Sequence, residues 1–192
     1  GSRAGNRKTA IRWAQFLRDI GCRVSVLTQW AGEHCDLLVA LHARKSHVAL
    51  RAFRESHPDR PALLALTGTD IYRDIRQDRD AAASLEMATR LIVLQKEALE
   101  ELTRKQRRKA RVIHQSVTSP LVPVPPVRKF RSCVLGHLRE EKDPFCAARA
   151  LRWVSDSHVE IIQAGKALSA KMTHEAERRM RDDARYRWIG EL

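Results

Sequence analysis

Cys133-Val134-Leu135-Gly136-His137-Leu138-Arg139-Glu140-Glu141-Lys142-Asp143-Pro144 is the stretch whose reading decides the fold. Its first three residues read as a buried strand, followed by a glycine, a charged turn and a helix start. Asp143 suits an N-cap, and Pro144 suits the first helical position, where its missing N–H costs nothing. The turn is therefore predicted to present free backbone N–H groups and the positive end of a helix beside Arg139 and Lys142. Such a turn favours anions, a diphosphate above all. A phosphorylated ligand, a nucleotide derivative, is expected.

Working outward, apolar periodicity alternates between strand and helix. Ala10, Trp13, Ala14, Leu17 and Ile20 recur at helical spacing from about Asn6 to Ile20, and Gly21 ends that helix. Strands are predicted at 23–27 and 37–41, and a helix over 46–56 with Val48, Leu50 and Phe53 inward. Further strands fall at 62–67, 91–94 and 111–114, with helices near 81–88 and 95–105. Apolar strands alternating with helices imply an α/β fold with a parallel sheet covered on both faces.

Four prolines (Pro120, Pro123, Pro125, Pro126) interrupt this pattern among valines. They can continue neither a helix nor a central strand, so 118–130 reads as a semi-stiff connector. Alternation restarts after it: strand 131–135, helix 144–154, strand 158–162, helix 169–182, strand 186–189. Residues 1–117 and 131–192 are therefore expected to form two α/β domains. The chain opens on a loop feeding a helix and stops directly after a strand, so both ends read as truncated.

The 192 residues carry a formal charge of +13, which implies an anionic partner, while 43% hydrophobic and 31% charged residues are those of a globular chain. Aromatic residues are only 5%, too few for a base-stacking platform. The run Arg104-Lys105-Gln106-Arg107-Arg108-Lys109 is therefore read as a solvated helix end rather than a nucleic-acid site, although a basic nucleic-acid module is a competing reading. No apolar run reaches the roughly 20 residues of a membrane span. Cys22, Cys35, Cys133 and Cys146 form no CxxC pair and no metal spacing. They read as reduced, mostly buried thiols of a cytoplasmic protein, and no metal is expected.

Candidate site residues lie where strands end, since ligands of open α/β sheets sit at the carboxyl edge. Gly1–Arg7 places two glycines and two arginines at a helix start, suited to an oxyanion. His42, Arg44 and Lys45 follow one strand; His42 could shuttle a proton, and the two cations could hold phosphate. Leu66-Thr67-Gly68-Thr69-Asp70 follows the next, where Gly68 admits close approach and Thr69 and Asp70 offer hydrogen bonds. Asp70 could equally cap the following helix. Gln95 and Gln115-Ser116 mark two more strand ends. His34, His47, His57 and His174 have no partner nearby in sequence and read as structural.

Gly136–Lys142, the glycine of Gln163-Ala164-Gly165, and Arg187-Trp188-Ile189-Gly190 resemble the nucleotide-binding domain of GT-B glycosyltransferases of the family 4 type. More narrowly, Ser2-Arg3 with Gly5-Asn6-Arg7, the segments 38–43, 66–72 and 91–95, and Leu135–Pro144 together resemble the selenosugar synthases of selenoneine biosynthesis. The resemblance runs along nearly the whole chain. It implies two Rossmann-like domains facing across a cleft, the acceptor on the first and the donor on the second. It implies transfer of a sugar, N-acetylglucosamine typically, from a UDP-sugar to selenophosphate, giving a selenosugar, UDP and phosphate. His42, Thr69 and Asp70 are then the catalytic candidates. Arg3, Gly5, Asn6, Arg7, Arg44, Lys45, Gly68 and Gln95 would bind selenophosphate. Gly136, His137, Arg139, Lys142 and Gly165 would bind the UDP-sugar. In that family an arginine stands where this chain has His137. No cofactor beyond the two substrates is implied, no nucleic-acid or membrane partner is expected, and a functional link to other selenoneine-pathway enzymes is. An ordinary UDP-sugar transferase with an oxygen acceptor is the alternative.

Overall fold

The computed structural model describes residues 3–116 and 128–192. The proline-rich stretch through Pro126 and the first two residues lie outside that set. The chain divides into two compact units, Gly1–Ser119 and Pro120–Leu192.

In the first unit, α1 (Arg3–Asp19) precedes β1 (Leu38–Leu41), α2 (His47–Ser56), β2 (Ala62–Leu66), a π-helical turn (Asp70–Asp74) running into α3 (Ile75–Gln77), α4 (Arg79–Met87), β3 (Arg90–Val93), α5 (Arg104–Arg108) and β4 (Ala110–Val112). The four strands form one parallel sheet in sequence order. Central β2 and β3 are buried almost throughout, as continuous apolar runs require. Phe53 and Leu50 on α2 pack with Leu64, Leu85 and Leu91 in the core. Phe53 also meets Trp30 edge-on at 5.5 Å and stacks on His57 at 5.2 Å.

The second unit holds β5 (Phe130–Leu135), α6 (Cys146–Ala150), β6 (Val159–Ala164), α7 (Ala170–Asp182) and β7 (Tyr186–Trp188), again a parallel sheet in sequence order. Leu138, Phe145, Leu151, Ile161, Met172 and Tyr186 form its core. Burial pushes the Tyr186 phenol up to about 12. Arg185 donates to the carbonyls of Leu151 and Val154 and to the Asp183 carboxylate, joining the turns that precede β6 and β7.

Several expectations are corrected. Residues 23–27 form no strand, and Val26 and Leu27 are exposed; an apolar run becomes a strand only where a neighbour supplies ladder partners. The segment 95–105 is not one helix. It holds a single turn at Glu97–Leu99 and then α5, whose start is set by a capping box between Thr103 and Gln106. The basic run thus forms its own helix and is tied down: Lys105 pairs with Glu86 at 2.8 Å, Arg107 donates to the Leu102 carbonyl and Lys109 to the Ala88 carbonyl. Val48 faces solvent, since α2 turns Leu50 and Phe53 inward. The cysteines are not buried: Cys22, Cys133 and Cys146 are exposed and Cys35 half-buried; Cys133 lies on the face that β5 leaves uncovered.

Phe53→Ala should cost the first unit about 3–5 kcal/mol through the cavity it leaves. Urea unfolding followed by Trp fluorescence checks this; a loss under about 1 kcal/mol would show that the site collapses around the gap.

Candidate functional site

In the first unit the candidates gather at the carboxyl edge. Asp70 is fully buried. Its carboxylate accepts from the backbone N–H groups of Ala43 (3.0 Å), Thr67 (2.9 Å) and Gly68 (2.8 Å). It therefore fastens the loop after β1 to the loop after β2, and its oxygens are occupied by backbone rather than turned to solvent. Two of these donors, Thr67 and Gly68, immediately precede Asp70, and the third, Ala43, comes from the other strand end.

That cage sets the position of His42. The residue has a left-handed backbone (φ 79°), rare without glycine, and is 4% exposed. Its Nδ1 lies 3.5 Å from the Lys45 N–H, so the neutral ring carries its proton on Nε2. Nε2 sits 3.4 Å from Thr69 Oγ1 and 3.8 Å from Asp74 Oδ2. Burial holds the imidazole below its ordinary value; Asp70 raises it, Lys45 lowers it, Asp74 raises it and Arg44 lowers it. Arg44 reaches Asp74 at 3.7 Å while half exposed. Gln95 donates to the Tyr72 hydroxyl, joining the end of β3 to the turn after β2. Tyr72 and Asp74 carry no role in the sequence reading. For Asp74 the signal was its spacing from Asp70, one helical turn apart and so on one face.

Gly5, Asn6 and Arg7 do not form the expected loop. The helix starts at Arg3, so they lie in its first two turns, with Gly5 and Arg7 exposed. The side chain of Arg3 lies outside the described set. Thr9 accepts from Gln115 Nε2 at 3.3 Å and Arg12 donates to the Ser116 carbonyl, which ties α1 to the segment following β4.

In the second unit three glycines with positive φ follow the three strands: Gly136 (154°), Gly165 (148°) and Gly190 (75°). A Cβ on Gly165 would lie 2.0 Å from the Gly136 carbonyl oxygen. Gly165 thus seats the Gly136 loop from beneath, and it is itself buried. A Cβ on Gly136 would lie 3.9 Å from Lys142 Cδ, so the lysine stem folds back over that glycine. His137 Nδ1 accepts from the Lys166 N–H at 3.2 Å, which leaves Nε2 for another partner. Arg139 lines a cleft of about 410 Å³ with Leu138, Glu140, Glu141, Leu168, Ser169 and Met172 beside the start of α7.

The expected helix over 144–154 is seen from Cys146 to Trp153, as α6 followed by a 3₁₀ turn (Leu151–Trp153), and its capping differs. Asp143 has φ 41° and closes the turn Glu140–Lys142, and Phe145 stands before α6. The Asp143 carboxylate is held by Arg149 at 2.9 and 2.6 Å, so it caps no helix. Five residues of α6 sum too few peptide dipoles to hold an anion. Positive charge on this loop comes from Lys142 and Arg139 instead. Among the described residues no group of three His, Cys, Asp or Glu side chains is placed to hold a metal, and no helix is long and apolar enough to cross a membrane.

Gly165→Ala should destabilise the second unit by more than about 2 kcal/mol, since the methyl meets backbone and the conformation disfavours any side chain; the urea midpoint of the variant reads this. A second expectation concerns pH. The unfolded chain takes up a proton on His42 more readily than the folded one, so stability falls as pH drops below about 6.5. His42→Asn, which tolerates the left-handed backbone, should flatten that fall between pH 7 and 5 relative to wild type; an unaltered slope would refute it.

No family model matches the chain, and no curated protein matches it. Solved structures do. Anabaena Alr3699/HepE in complex with UDP and glucose matches at TM-score 0.55 and 17% identity, over 82% of this chain and 48% of that one. Its complex with UDP-glucose matches at 0.51 and 17%, over 82% and 48%. Its complex with UDP matches at 0.52 and 15%, over 96% and 52%. This chain spans about half the length of the HepE chains, and the likeness is one of fold.

Proposed function

We propose that the chain belongs to a glycosyltransferase that takes its sugar from a UDP-sugar, with selenophosphate as acceptor and N-acetylglucosamine as the sugar. The observation that carries this reading is Lys142 folded over Gly136 at the carboxyl edge of β5, in a fold shared with a protein solved with UDP. Lys142 would offset the charge that develops on the diphosphate as UDP departs. Arg139 and His137 Nε2 add donors, Gly136 lets the backbone approach the phosphates, and Gly165 supports the loop.

On the first unit, His42, Thr69, Arg44, Lys45 and Gln95 would receive the acceptor, with Gly68 leaving room and Asn6 and Arg7 adding donors. Asp70 serves by holding their loops. The selenium of selenophosphate attacks the anomeric carbon, the bond from that carbon to the diphosphate oxygen breaks, and water then cleaves the phosphorus–selenium bond. The products are a selenosugar, UDP and phosphate, the first of them available to the selenoneine-pathway enzymes. Anionic selenium needs no base, so His42 and Thr69 hold the acceptor oxygens rather than abstract a proton. No metal or cofactor enters the scheme.

The HepE complexes with UDP-glucose support a second reading, transfer to an oxygen acceptor. Product analysis with UDP-N-acetylglucosamine and UDP-glucose separates the two. UDP release that requires selenophosphate, with a selenium-bearing sugar in the mass spectrum, supports the first. Release that is indifferent to selenophosphate and dependent on an alcohol acceptor overturns it. Lys142→Ala should weaken UDP binding at least tenfold by calorimetry, about 1.4 kcal/mol for a lost charge-assisted contact; unchanged affinity would remove Lys142 from the site.

A further inference from the structure

We propose that Asp74 is the positioning residue of His42: its carboxylate faces Nε2, favours the ring with its proton there and supports the ring when it becomes charged, beside the place assigned to an anionic acceptor. The purpose rests on the acceptor reading above; the chemistry does not.

The π-helical turn carries two buried acidic residues with different fates. Asp70 is saturated by backbone N–H groups. Asp74 is only 4% exposed, and its Oδ1 accepts from Arg73 Nε at 3.0 Å. Its Oδ2 is buried with no hydrogen-bond partner. A buried carboxylate oxygen left without a donor is costly, so such an atom calls for an explanation. The donors nearest to it are Arg44 Nε at 3.7 Å and His42 Nε2 at 3.8 Å. A side-chain shift of under about 1 Å would bring either into hydrogen-bond range.

Nε2 is the His42 nitrogen that faces Asp74, at 3.8 Å. The Lys45 N–H is directed at Nδ1, which leaves the proton on Nε2, toward Asp74 and Thr69. The charged groups around the ring are Asp70, 4.0 Å from Nδ1, with Asp74, Arg44 and Lys45. Arg44, being half exposed, is free to turn toward a bound anion. Once it does, Arg73 stays on Oδ1 and His42 is the nearest donor left to Oδ2, so the carboxylate favours a charged imidazolium more strongly. Binding of a phosphate-class ligand and protonation of His42 are thereby coupled through one carboxylate.

The test is an NMR titration of the His42 ring in the whole chain. Wild type should show the Nε2–H tautomer. In Asp74→Asn the His42 midpoint should fall by about one pH unit, as for loss of a carboxylate at this range. An unchanged or higher midpoint in the folded variant, or an Nδ1–H ring in wild type, overturns the proposal. A second measurement needs no variant: the Asp74 Cγ resonance of wild type should inflect at the pH where His42 titrates, and a resonance blind to that step also overturns it. Neither readout involves sugar transfer. A chain that shows both signals and makes no selenosugar keeps this inference and loses the acceptor reading.

Discussion

The Asp70 carboxylate, cut off from water, is satisfied only while the loops after β1 and β2 stay together. Ala43, Thr67 and Gly68 supply the N–H groups from two separate strand ends. Pulling these loops apart would leave a buried charge with too few donors, at a cost of several kcal/mol. The carboxyl edge of the first sheet is therefore held open in one geometry before any ligand arrives. The left-handed backbone at His42 is maintained by the same constraint, since the strain there, of order 1–3 kcal/mol, persists only where surroundings over-determine it. Thr69, Tyr72 and Asp74 take their places from the same turn.

The second unit reaches a comparable end by the opposite means. There the loops are joined by the absence of a side chain: Gly165 admits the Gly136 carbonyl where a methyl group would collide. Backbone bonds complete the arrangement, with Leu138 donating to the Lys166 carbonyl and Gly165 to the Gly190 carbonyl. One unit thus presents a polar, charge-rich edge in which cations and a buried imidazole stand near two carboxylates. The other presents exposed backbone with a lysine folded over it.

The net charge of +13 is spread unevenly in what it does. Arg185, Arg107, Arg60 and Lys109 spend their donors on backbone carbonyls and fix loops. Arg178 and Arg179 both pair with Glu175. Basic composition is thus in part a structural material, and the formal charge overstates what remains for an anionic partner.

The sequence by itself determined the alternation of elements. Short apolar runs bounded by proline, glycine or a cap can be buried only as strands of a parallel sheet, and those over 38–41, 62–66, 90–93, 130–135 and 159–164 are seen within a residue or two of where the pattern puts them. It also marked the carboxyl-edge loops, because chemistry-bearing residues follow those runs directly. Residues 23–27 show the limit: local β propensity cannot supply a ladder partner. Asp143 shows it again, since a cap residue beside an arginine six positions on can be claimed by that arginine. Only the tertiary structure decided that Asp70 would be consumed by backbone, that His42 would take a left-handed conformation beside Asp74, and that Gly165 would lie beneath Gly136. Each depends on groups some 27 to 32 residues apart meeting within a few ångströms, and a one-dimensional pattern carries no term for such distances.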